Sequence, residues 1–129
     1  MDRGTAREAL ARLIYGVYLL TTRRNDEING MPVSWVSQVS HHPPLVMVSV
    51  SGERYTHDML KESGAFALNL MERGQKMLVD HFMARGSNKQ AKFEGLDYRE
   101  GTTGCPILED ALTYLECRVT SSQETGDHT

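Results

Sequence analysis

The residues best placed to do chemistry lie in Gly30-Met31-Pro32-Val33-Ser34-Trp35-Val36-Ser37-Gln38-Val39-Ser40, closed by His41-His42-Pro43-Pro44 and followed by Leu45-Val46-Met47-Val48-Ser49-Val50. Apolar and hydroxyl-bearing side chains alternate at the period of a strand, and the row from Gly30 to Ser40 carries no charge. An ordinary solvated strand face carries Lys, Glu and Thr, whereas small uncharged hydroxyls such as those of Ser34 and Ser37 suit the phosphate or polyol oxygens of a ligand. Val33, Val36 and Val39 supply apolar contacts on the same strand. A Ser37 hydroxyl turned to a core without a partner would cost about 1–3 kcal/mol, so its partner is expected on the ligand.

Other chemistries find little support. The five histidines are His41, His42, His57, His81 and His128, and no two have the helical i, i+3 or i, i+4 spacing of a metal pair. Adjacent His41 and His42 would point to opposite faces of a strand and read as a solvent-facing pair before Pro43. Gly-x-Ser-x-Gly is missing, which removes the nucleophile elbow, and so is the Gly-rich loop of a Rossmann unit. Cys105 and Cys117 are too few and too far apart for a disulfide framework or a C-x-x-C redox pair; Cys117 reads as an apolar filler and Cys105 as a turn residue.

Several short elements must position the serine-bearing strand. A helix is expected from Arg7 to Leu13, where Ala and Leu favour it, then a strand over Ile14–Thr22. The turn lies within Arg23–Gly30, marked by Asn25-Asp26 and Asn29-Gly30, so a hairpin leads into the serine-bearing strand. Pro43-Pro44 ends that strand, and Leu45–Ser51 returns as a third, giving three consecutive antiparallel strands. Thr56 reads as the N-cap of a short helix ended by Gly64. Phe66–Leu70 is a strand, Gln75–Met83 a helix with Met77, Leu78 and Phe82 on one face and Gly86 past its end, Ser87–Gly104 a polar connection, and Leu112–Ser121 the last strand. Many short strands with small helices predict a mainly β antiparallel barrel.

Composition narrows the function classes. With 129 residues, 40% of them hydrophobic, the chain fills one core, so residues 1–129 read as a single domain. A net charge of −3 provides no basic footprint for nucleic acid. No apolar run reaches the roughly 20 residues needed to cross a bilayer and no signal-peptide core is present, so a cytoplasmic, non-membrane protein is expected.

The Gly30–Val50 stretch resembles the flavin reductase-like family, FMN-binding split barrels that include NAD(P)H:flavin oxidoreductases, ferric reductases and flavoredoxin. The resemblance extends through Tyr15–Thr22, Phe66–Leu70, Lys92-Phe93-Glu94-Gly95-Leu96, Pro106–Leu112 and Gly126-Asp127-His128, in the family's order. It implies an antiparallel FMN-binding split β-barrel with short helical inserts, continued in the family by at least one more strand, so this chain is expected to lack its last strand.

It also implies FMN as cofactor, NADH or NADPH as co-substrate, a redox partner protein as one possible acceptor, and a homodimer. Val33, Ser34, Trp35, Val36 and Ser37 match the family's flavin-contacting strand, with Ser49 and Val50 on its neighbour. Trp35 reads as a core aromatic ahead of a stacking partner. Arg85 is the candidate for phosphate charge, with a helix-end cation as the alternative reading, and Tyr55 and Thr56 add hydroxyls. His128 is implied to lie near flavin and nicotinamide as the catalytic residue. Two other readings stay open: a flavoredoxin-like FMN electron-transfer module that never binds nicotinamide, and a non-catalytic flavin- or haem-binding protein on the same barrel.

Overall fold

The computed structural model describes residues 2–83 and 90–129. Within them the chain is mainly β, in the order α1 (Arg3–Leu10), β1 (Tyr18–Arg24), β2 (Glu27–Val33), β3 (Val36–Ser40), β4 (Leu45–Val48), α2 (Tyr55–Ser63), β5 (Ala65–Leu70), α3 (Lys76–Phe82), a 3₁₀ turn (Gln90–Phe93), β6 (Tyr98–Glu100), β7 (Pro106–Leu108) and β8 (Thr113–Arg118). All strand pairs are antiparallel. They form one four-stranded sheet, β2-β1-β5-β8, and two ribbons, β3-β4 and β6-β7.

The first hairpin turns at Asn25-Asp26 alone. Asn25 takes the left-handed conformation, φ 56°, that an asparagine tolerates in a two-residue turn. The second expected turn pair, Asn29-Gly30, runs inside β2, opposite Thr22 and Thr21. A tertiary contact overrides the local signal: a Cβ at Gly30 would stand 3.1 Å from the Phe82 ring and 3.2 Å from the Leu20 carbonyl, so glycine there serves close packing. Asn29 is buried, and its Oδ1 accepts the Gly30 N–H at 2.8 Å.

The serine-bearing strand is two strands. β2 ends at Val33, a tight turn follows in which Val36 N–H donates to the Ser34 carbonyl at 3.0 Å, and β3 leaves to pair with β4 instead of β1. Ser34 and Trp35 therefore form a corner. Strict alternation fails across it, which is why Val33 and Val36 both reach the cluster of Leu20, Met31, Val50, Phe66 and Leu68. β3 carries a second irregularity: Gln38 faces Val46 and Ser40 faces Leu45, leaving Val39 as the extra residue of a bulge and 57% exposed. Val39 does not join the apolar contacts of Val33 and Val36.

The other boundaries shift for local reasons. α1 begins earlier than Arg7 because Asp2 caps it, its carboxylate accepting Thr5 N–H at 2.8 Å. Ile14–Val17 precedes β1 outside any helix or strand, with Ile14 98% exposed. α2 starts at Tyr55 behind Arg54, so Thr56 is a buried first-turn residue instead of the cap. Gly64 ends α2 as expected, at φ 69° with its N–H on the Leu60 carbonyl. In α3, Phe82 is buried and Leu78 packs on its cluster, but Met77 is 87% exposed, since i and i+4 share a face and i+5 leaves it. Leu112 and Val119 still bond to Leu70 and Gly64 just outside β8. β6 and β7 rise within and after the stretch read as a polar connection.

Candidate functional site

The corner between β2 and β3 turns Trp35 outward, 45% exposed, although its residue type favours a core. Its backbone is fixed by Ser49 N–H, which donates to the Trp35 carbonyl at 3.0 Å just past the end of β4. The segment Thr125–Thr129 comes back to the same place. Val50 and Thr129 exchange both main-chain bonds, at 2.8 and 2.9 Å, Gly52 N–H donates to the Asp127 carbonyl at 2.9 Å, and Ser51 bridges His128. The result lays the His128 ring on Trp35, centroids 4.5 Å apart and planes 33° from parallel. Tyr15 completes the row, 6.3 Å from the Trp35 centroid.

His128 Nδ1 lies 2.7 Å from the Asp127 carboxylate, and this hydrogen bond holds the Asp127 carboxyl below its ordinary range. An ionised carboxylate only accepts, so Nδ1 carries the proton of that bond and Nε2 is the nitrogen available to a ligand. Beside the stack an open groove of about 480 Å³ is lined by Arg7, Leu10, Ala11, Tyr15 and Trp35. α1 contributes its i, i+3, i+4 face, so the groove is mainly apolar, with Arg7 as its one charged lining residue. Arg7 and Tyr15 were not singled out from the sequence, although the helical spacing of Arg7, Leu10 and Ala11 was legible there.

The sequence-predicted residues divide. Trp35, His128 and Ser49 come together, and Val50 joins them through Thr129 while its side chain is core. Val33 is buried and Val36 half-buried in the same cluster, so each offers main chain more than side chain; Ser34 sits half-buried at the corner. Ser37 points away from the core, opposite Met47, and its hydroxyl donates to the Gln38 carbonyl at 3.1 Å. The premise of a hydroxyl trapped in a core is thereby corrected.

Tyr55 lies elsewhere: its hydroxyl donates to the Glu27 carboxylate at 2.8 Å and accepts from Arg24 at 2.6 Å, which ties α2 to the first hairpin. The Glu27 bond pushes the Tyr55 hydroxyl's pKa up. Thr56 is buried in α2, and Arg85 falls outside the described residues. A cation missed within the polar stretch is Lys92, 8% exposed, whose Nζ donates to the Gly30 carbonyl at 3.0 Å while its own carbonyl accepts from His81 Nε2 at 2.7 Å.

An uncharged ribbon, an exposed indole stacked on an imidazole and a neighbouring guanidinium fit a planar aromatic ligand bearing an anionic tail. Among the described residues no three His, Cys, Asp or Glu side chains converge as metal ligands, and no helix is long and apolar enough to cross a membrane.

Comparison with known proteins places the chain in a family. Diflavin flavoprotein A 1 of Synechocystis sp. is 36% identical over 122 residues, 94% of this chain and 21% of that protein. The chain thus spans about a fifth of the length of the curated relatives it matches. The NADH:FAD oxidoreductase of Streptomyces globisporus superposes with a TM-score of 0.88 at 30% identity, covering 98% of this chain and 76% of that one. An FMN-binding protein from Thermus thermophilus superposes with a TM-score of 0.81 at 30% identity, over 91% and 66% of the two chains. The profile described as flavin reductase like domain matches residues 10–129, and the chain belongs to that family.

Proposed function

We propose that this chain is an FMN-binding oxidoreductase domain that takes electrons from NADH or NADPH and delivers them to flavin, a ferric complex or a partner protein. The observation that carries the reading is the Trp35–His128 stack at the edge of the uncharged β3-β4 ribbon, in a chain of this family. A relative solved with NAD and FAD fragments supports nicotinamide use. The three sheets are read as parts of one split barrel, and residues 1–129 as one domain. The exposed apolar side chains of α1, Ile14, Val39 and Met47 support a homodimer, for which sedimentation at micromolar concentration expects a two-fold assembly.

Bound flavin would supply the chemistry, accepting hydride at N5 directly from nicotinamide, so no protein nucleophile is needed. The protein's share is orientation. Val33, Val36 and Val50 stand at the ring edge, where their carbonyl oxygens can accept from it, the Val36 and Val50 N–H groups being taken by Ser34 and Thr129. Ser34, Ser37 and Ser49 offer hydroxyls to ribityl or phosphate oxygens, and Arg85 the phosphate charge. His128, held by Asp127 on Trp35, presents Nε2 to the nicotinamide side and keeps water from it.

Titrating apoprotein with FMN, FAD and riboflavin tests the cofactor: FMN is expected to bind tightest at one per chain, and equal affinity for riboflavin overturns the phosphate role. Anaerobic addition of NADH or NADPH is then expected to bleach the bound flavin rapidly. Coverage of only a fifth of the diflavin flavoproteins favours a second reading, a flavin module that passes electrons to another domain. Flavin binding without nicotinamide bleaching selects it.

A further inference from the structure

We propose that His57 of α2 is a positioning residue for His128, acting through the hydroxyl of Thr129; this rests on the reading of His128 as the residue beside flavin and nicotinamide. Residues 119–124 carry no strand or helix, yet residues 125–129 are held tightly, and α2 is one of the two holds. Lys61 pairs with Glu124 at 3.3 Å on the exposed side. His57, whose side chain is 11% exposed, places Nε2 2.8 Å from Thr129 Oγ1, while its Nδ1 lies 3.1 Å from the Asp58 carboxylate.

The carboxylate only accepts, so Nδ1 donates to it and Nε2 is left to accept the Thr129 hydroxyl proton. α2 is a firm base for this bond, because Thr56 and Met59 are buried beneath it.

The second hold is the main-chain pairing of Val50 with Thr129. That pairing, with Gly52 N–H on the Asp127 carbonyl and Ser51 opposite His128, fixes where the segment runs through main chain alone. It spans only three residue pairs, so it leaves the side chains of residues 128 and 129 without a hold of their own. In extended chain, neighbouring side chains point to opposite faces. Anchoring the Thr129 side chain on α2 therefore holds the His128 ring on the other face, against Trp35. Asp127 cannot substitute for this anchor, because it is exposed and moves with the segment.

The stack gives a readout independent of flavin. Imidazole protons lying over an indole ring resonate upfield, so proton NMR of the flavin-free chain is expected to show His128 signals upfield of those of exposed His41 and His42, identified by their loss in His128→Gln. Thr129→Val removes only the hydroxyl: His128 signals should return to the exposed position with the melting temperature unchanged, and Thr129→Ser should restore them. His57→Phe should reproduce the Thr129→Val spectrum; if it fails to fold, Thr129→Val carries the test.

In flavin-loaded protein, kcat for flavin reduction by NADH should fall roughly 10-fold in Thr129→Val with the flavin dissociation constant unchanged. Upfield His128 signals that persist in Thr129→Val overturn the proposal, as does an unchanged kcat. Movement of the signals in a protein that binds no flavin leaves the anchor standing and refutes the flavin reading instead.

Discussion

The buried face of the four-stranded sheet and the outer face around Trp35 are built on opposite terms. Inside, polar groups are matched to completion. Asn69 donates to the Leu19 carbonyl and Thr21 hydroxyl and accepts Leu108 N–H at 2.9 Å, and Thr21 donates to the Pro106 carbonyl. Among the described residues no buried side-chain nitrogen or oxygen lacks a partner. Outside, Trp35, Val39, Met47 and the residues of α1 leave apolar surface uncovered, and every residue of α1 is at least partly exposed. One face holds the chain together and the other holds surface in reserve for something else to cover.

That contrast breaks most severely at Phe82, which packs on Gly30 and edge-to-face on Phe93 with centroids 5.3 Å apart. Phe82→Ala should cost about 3–5 kcal/mol in urea unfolding, the range for emptying a buried aromatic site. Gly30→Ala should cost about 1–3 kcal/mol by overpacking the same contact. In the Phe82→Ala background that cost should shrink, leaving only the Leu20 carbonyl that a Cβ at Gly30 would meet at 3.2 Å; additive losses would show that the two do not share the space.

On the outer face the sign of the effect moves from folding to binding. Ser37→Ala should leave apoprotein unfolding within about 0.5 kcal/mol and weaken FMN by about 1–3 kcal/mol, read by titration. Lost stability with affinity intact would place Ser37 on the structural side of the comparison.

The smallest effect is electrostatic. Glu116 accepts from Thr103 N–H at 2.9 Å and from its hydroxyl at 2.7 Å, which holds its carboxyl below the ordinary range. A folded pKa below the unfolded one means this stabilisation is complete above the unfolded value and is lost as pH falls through the folded one. Melting temperatures of Glu116→Gln should therefore differ from those of the unaltered protein at neutral pH and converge with them in acid.

Legibility in the sequence followed the range of the forces involved. Gly64, the Asn25-Asp26 turn and the core of β5 are written in local signals, and each lies where those signals put it. Asn29-Gly30 misled because the glycine answers to the Phe82 ring, far along the chain, and to the Leu20 carbonyl of the paired strand. The corner at Ser34-Trp35 was invisible because alternation looks continuous until the two strands choose different partners. For the site, His128 came from the Gly-Asp-His motif and Trp35 from its strand, but their stacking needed the bridge from Ser51 to His128. The short apolar β7 was hidden in a run that punctuation by Gly104, Cys105 and Pro106 made look like a loop.

The bond from Thr21 to Pro106 joins residues 85 apart in the chain. The β1-β2 and β3-β4 hairpins can close as soon as they are made, since each pairs neighbours across a short turn. The Thr21–Pro106 link, with the Asn69–Leu108 bond beside it, cannot form until nearly the whole described chain is present. Because such contacts repay their loop-closure entropy late, they are expected to form after the rate-limiting step. Removing the Thr21 hydroxyl should accordingly quicken unfolding while leaving the refolding rate almost untouched, so that this buried oxygen governs how long the molecule lasts more than how fast it arrives.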